Sequence, residues 1–94
     1  MIMHDWTLRG LSIDWTRGTV RLELSSSDGV RVLTAAGLKS ASVPRRGPWG
    51  PSSSINGYRG PFRTEDGTSR LVIEMQSGDV IELVADEFVM PEDA

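Results

Sequence analysis

The sequence predicts an all-β fold: a small antiparallel sandwich or half-open barrel of five to seven strands. Three observations carry this. Apolar and polar residues alternate with period two, most cleanly from Thr19 to Ser25, where Val20, Leu22 and Leu24 face one way and Arg21 and Glu23 the other. No stretch of ten or more residues keeps a helical apolar period. Turn-forming residues divide the alternating stretches at short intervals. At 94 residues the chain is one domain, 1–94, with a single modest core.

The first expected strand is Thr7 to Trp15, with Leu11, Ile13 and Trp15 on one face and Ser12 and Asp14 on the other. Thr16-Arg17-Gly18 turns the chain into the Thr19–Ser25 strand and makes a hairpin. Ser26-Ser27-Asp28-Gly29 is the next turn, because Gly29 tolerates a positive φ. Val30 to Ala35 reads as a third strand, Ala36-Gly37 as a break, and Leu38 to Val43 as a fourth strand. Pro44 cannot donate to a ladder, so pairing is expected to end there.

Ser69 to Gln76 and Val80 to Glu87 form the last hairpin. Its loop is Gln76-Ser77-Gly78, with Gly78 at the left-handed position. This register sets Ile73 opposite Ile81 and Leu71 opposite Leu83, two apolar pairs on one face. A slip of one residue would set Ile73 against Glu82. The strand order reads as a meander, and Pro91–Ala94 reads as a flexible tail. The tripeptide Asp-Trp-Thr at 5–7 and 14–16 has no longer similarity around it and is no repeat.

One segment departs from the pattern. Val43 to Arg63 holds four of the five prolines, four of the ten glycines, four arginines, and Trp49, Tyr58 and Phe62. It reads as a long Pro/Gly/Arg-rich loop over 44–63, with room for a short strand at Ser54 to Tyr58. Long loops in small domains are usually functional or disordered. Trp, Tyr and Arg dominate binding hot spots. The expected partner-binding residues are therefore Arg45, Arg46, Trp49, Tyr58, Arg59, Phe62 and Arg63. Arginines for phosphates and aromatics for bases would equally make a single-strand nucleic-acid module. A purely structural use has Trp49 and Phe62 folding back over one end of the domain. Arg45-x-x-Pro48-x-x-Pro51 also fits the polyproline pattern read by SH3-type grooves.

Composition excludes several chemistries. There is no cysteine and one histidine, so neither a disulfide framework nor a structural zinc site is expected, and no cofactor is implied. Ser52-Ser53-Ser54 lacks the lysine and helix of a phosphate cradle. Glu65-Asp66-Gly67 has turn composition, and Asp86-Glu87 ends a strand. His4 beside Asp5 reads as a strand-start residue whose imidazole meets a backbone group, with no nucleophile to serve. No enzyme is expected. No apolar run spans a bilayer and no signal peptide is legible in MIMHDWTLRG, which points to the cytoplasm.

The net charge of −3 hides an asymmetry. Residues 1–63 carry nine Lys/Arg against four Asp/Glu, a net of +5, while residues 64–94 carry Arg70 against nine Asp/Glu, a net of −8. Either zone can steer a partner of opposite sign unless folding interleaves them.

The opening His4-Asp5-x-x-Leu8-x-x-Leu11, then Asp14, then Val20-x-Leu22-x-Leu24, resembles that of several small all-β bacterial families. Some are immunity proteins encoded beside polymorphic toxins. Trp49-Gly50-Pro51-Ser52 and Ser54-Ile55-Asn56 are similar to an uncharacterised branch of them, from which the long proline-arginine insert departs. The resemblance covers about a quarter of the chain. It implies a cytoplasmic, non-enzymatic protein that binds and blocks a toxin. In that reading the acidic segment 65–93 covers a basic active site, and charge speeds the encounter. The other expected partners are nucleic acid and a second copy paired through edge strands.

Overall fold

A computed structural model describes residues 3–47 and 53–92 of the chain. Its six strands are β1 (Thr7–Asp14), β2 (Thr19–Ser26), β3 (Gly29–Ser42), β4 (Ile55–Arg63), β5 (Ser69–Met75) and β6 (Val80–Val89). All pair antiparallel in one sheet of order β1-β2-β3-β6-β5-β4. The two edges meet at one end. Asp5 N–H donates to Ile55 O at 2.8 Å, Ile55 N–H to Trp6 O at 2.8 Å and Leu8 N–H to Ser53 O at 2.7 Å. The sheet is thus a half-open barrel, the second of the two architectures expected.

The core follows from the alternation. Val20, Leu22 and Leu24 of β2 meet Leu33 and Ala35 of β3, Leu71 and Ile73 of β5, and Ile81, Leu83 and Ala85 of β6. Each of these side chains is buried, and complete burial of a leucine or isoleucine contributes about 1.5–3 kcal/mol. The β5–β6 hairpin has the expected register, Ile73 with Ile81 and Leu71 with Leu83, and Gly78 takes φ 94°. Met3 and Trp6 add the N-terminal segment to the core.

Three expectations need correction. The strands are not a meander. Two three-stranded meanders, β1-β2-β3 and β4-β5-β6, join through β3 and β6, so the β3–β4 connection crosses to the far edge. Ala36-Gly37 does not end a strand. Gly37 takes φ 67° and the ladder continues, so β3 runs for 14 residues. The segment 44–63 is not one long loop, because Ile55–Arg63 is a nine-residue strand. Pro61 is tolerated there because β4 lies at the end of the sheet order, where one side of the strand owes no ladder bond. At the other end of the chain Met90 packs against the core and Pro91 is buried.

Bulges explain where period two breaks down along the strands. Register shifts fall between Leu8 and Gly10, Leu38 and Ser40, Ile55 and Gly57, and Arg59 and Phe62. An extra residue returns the residue three positions on to the same face. Leu8 and Leu11 both pack on the core in this way, as do Ile55 and Tyr58.

Candidate binding surface

The β4 strand decides where four of the seven expected binding residues point. Ile55 pairs with Met75 and is fully buried. Tyr58 pairs with Ile73, half-buried, with its ring against the core. Arg59 pairs with Val72, Phe62 with Arg70, and the two residues Gly60-Pro61 stand opposite Leu71. Residues three apart in a regular strand face opposite ways. The bulge reverses this, so Arg59 and Phe62 share the outer face, and Phe62 is 46% exposed. Val72 on that face is buried beneath this row although it lies outside the core cluster. Gly57, Tyr58, Arg59, Val72 and Glu74 line a shallow groove there.

Arg63 ends β4 on the other side of the strand, opposite Ser69. Its guanidinium donates to Gly67 O at 2.5 Å. The turn it braces is fixed by Asp66, whose carboxylate accepts from Thr68 N–H at 3.1 Å, from Thr68 Oγ1 at 2.6 Å and from Thr64 Oγ1. The two hydroxyls, Thr64 first, lower the Asp66 pKa to about 2.

Arg45 and Arg46 lie elsewhere. They follow β3 at the barrel mouth, where Arg46 N–H donates to Asp79 Oδ1 at 3.0 Å and Gly47 N–H to Asp79 Oδ2 at 3.0 Å. These bonds, that from Arg46 first, and the Ser77 hydroxyl hold the Asp79 carboxyl below its ordinary pKa. Asp79 borders the β5–β6 turn, near the Ile55 end of β4, whereas Arg63 is at the other end of that strand. Eight residue steps along a strand separate the two by about 25 Å. The expected basic and aromatic cluster therefore divides: Arg59 and Phe62 come together, Arg45 and Arg46 stand apart, and Tyr58 serves packing. Trp49 lies outside the described residues.

One exposed aromatic escaped the sequence reading. Trp15 is 89% exposed, although alternation placed it on a face with Leu11 and Ile13. It is the first residue of the β1–β2 turn, past the Asp14–Thr19 pair, so the strand face no longer applies. The adjoining Thr16-Arg17-Gly18 was the available signal. Three hydrogen bonds tie the turn: Gly18 N–H donates to Asp14 O at 2.9 Å, Arg17 N–H to Asp14 Oδ1 at 3.1 Å, and Leu38 N–H to Gly18 O at 2.8 Å.

His4 meets a backbone group as expected. Its Nδ1 lies 2.8 Å from Asn56 O, so this nitrogen donates, and Nε2 is 3.6 Å from Asp5 Oδ2. Among the described residues no three His, Asp or Glu side chains converge as a metal site would require. The charge zones interleave in part. The acidic β6 lies between β3 and β5, where Lys39 of the basic zone pairs with Asp86 of the acidic zone at 3.7 Å. No helix of the described residues is long and apolar enough to cross a membrane. Comparison with protein-family models, curated proteins and solved structures finds no match to this chain.

Proposed function

We propose that this chain is a non-enzymatic protein-binding domain, an immunity-type inhibitor of a partner protein, and that its contact surface is the outer face of β4. The observation that supports this reading is the Gly60-Pro61 bulge, which sets Arg59 and Phe62 side by side on an exposed face. An exposed aromatic beside an arginine is the composition of an interface anchor. The strand fixes the backbone of both, so little backbone freedom is lost on binding. Trp15 on its hydrogen-bonded turn is a second anchor of the same kind.

The test is capture from the source cell's lysate at physiological salt with nuclease present, comparing wild type with Phe62→Ala and Arg59→Ala. One stoichiometric protein retained by wild type and lost with either variant, both still folded, supports the reading. Equal retention by all three removes β4 from the contact. A partner so identified is then assayed for loss of its own activity on binding.

The second reading is a nucleic-acid module, favoured by Arg59, Arg63, Arg45 and Arg46. Its mark is affinity that falls steeply between low and physiological salt. Tyr58 facing the core removes one of the stacking groups that reading requires.

A further inference from the structure

The barrel mouth carries a feature that the binding surface on β4 does not use. Leu8, Val43, Met75 and Ile81 form apolar walls around a cavity of about 260 Å³, with Arg45, Ser53, Ser77 and Asp79 at its polar rim. The first part of the β3–β4 connection, Val43 to Gly47, runs along this rim. Among the described residues, the two hydrogen bonds that hold this stretch both end on Asp79.

Asp79 is built for that task. It is 8% exposed, and the hydroxyl of Ser77 donates to its Oδ2 at 2.8 Å. Asp79 N–H in turn donates to Ser77 Oγ at 3.3 Å, so the carboxylate is held from two sides. Consecutive backbone N–H groups directed at one anion form a concave donor pair, and charge-assisted bonds of this kind are stronger than neutral ones. Gly47 fits closely: a β-carbon there would lie 3.1 Å from both Asp79 Oδ2 and the Ser77 carbonyl carbon. Arg46 is the charged residue that acts on the carboxylate and Arg45 lines the same cavity, both on the connection itself.

We propose that Asp79 and the Arg46–Gly47 amides form a latch that holds the Val43–Gly47 stretch down at the barrel mouth and limits access to the apolar cavity beside it. A segment held at one point is released as a unit when that point is lost. Release uncovers Met75, which is 6% exposed with the latch closed. The opening is local, because the ladder bonds of β3, β5 and β6 do not involve the Asp79 side chain.

The absence of cysteine allows a direct test. Met75→Cys places a single thiol in the cavity wall, and Ala35→Cys places one in the core of β3, away from the mouth. Each is made with and without Asp79→Asn, and the rate of modification by a thiol reagent is followed. The latch predicts that Asp79→Asn accelerates modification at position 75 by tenfold or more and leaves position 35 within twofold. Unchanged rates at position 75 overturn it. Equal acceleration at both positions also overturns it, since that reports loosening of the whole domain. Should Asp79→Asn fail to fold, hydrogen exchange of the unmodified protein decides. The latch requires the Arg46 and Gly47 amides to exchange together through an opening insensitive to low denaturant. Exchange of either only through global unfolding overturns it.

Discussion

The Asp86 side chain lies over Gly37, so close that a β-carbon at position 37 would sit 2.7 Å from Asp86 Cβ. Gly37 also takes φ 67°, a left-handed conformation that side chains disfavour. Asp86 in turn approaches Lys39 of the next bulge. This point lets β3 pass from its pairing with β2 to its pairing with β6 without ending. Gly37→Ala combines backbone strain with overlap and is expected to destabilise the fold by about 3 kcal/mol. Urea unfolding checks it. A change under 1 kcal/mol, or an unchanged midpoint, would show that β3 does not make this turn.

Ile55 and Phe62 lie on the same strand with opposite roles. Ile55→Ala removes a fully buried side chain and is expected to cost about 2–5 kcal/mol. Phe62→Ala on the exposed face should stay within about 1 kcal/mol of wild type. Thermal and urea denaturation of the two variants give the comparison. The reverse order of costs would mean that the Gly60-Pro61 bulge does not turn Phe62 outward.

The two Asp-Trp-Thr tripeptides predict two different tryptophans. Trp6 is 8% exposed in the core cluster, and Trp15 is 89% exposed. Trp6→Ala is expected to cost about 3–5 kcal/mol, whereas Trp15→Ala should leave stability nearly unchanged. In a Trp49→Phe background, acrylamide quenching of the native protein should lose its most accessible component on Trp15→Ala. Retention of that component would contradict the outward position of the turn.

Acid should weaken the fold through Asp66 and Asp79. Both carboxyls have folded-state pKa values below the unfolded one, Asp66 at about 2. The unfolded chain therefore takes up their protons first. Their contribution is complete above the ordinary carboxylate pKa of about 4 and is lost as pH falls toward 2. Stability measured from pH 5 to pH 2 should decline less steeply in Asp66→Asn than in wild type. Parallel pH profiles would show that the Thr64 and Thr68 hydroxyls do not hold that carboxylate.

The exposed ion pair Arg70–Glu82 should matter little. Both side chains are near half exposed, and pairs of this kind contribute about 0–1 kcal/mol, screened by salt. Glu82→Gln is expected to shift stability by less than about 1 kcal/mol at low salt, with the difference shrinking at 1 M salt. A loss above 2 kcal/mol would assign Glu82 a further role on the outer face.

What could be read from the chain alone was local. Alternation in Val20, Leu22 and Leu24, turn residues at Gly29 and Gly78, and the pairing of Leu71 with Leu83 and Ile73 with Ile81 all depend on neighbours close in sequence. They were sufficient for an all-β domain and for the register of its last hairpin. The folded arrangement decided what depends on contacts between distant segments. Pairing of β3 with β6 rather than with the next strand, the closure of Ile55 onto Trp6, and the grip of Asp79 on Gly47 are long-range choices that leave no periodic trace. Bulges hid the rest, because one extra residue inverts every later face. Tyr58 was thereby sent to the core, while Arg59 and Phe62 were brought to one exposed surface.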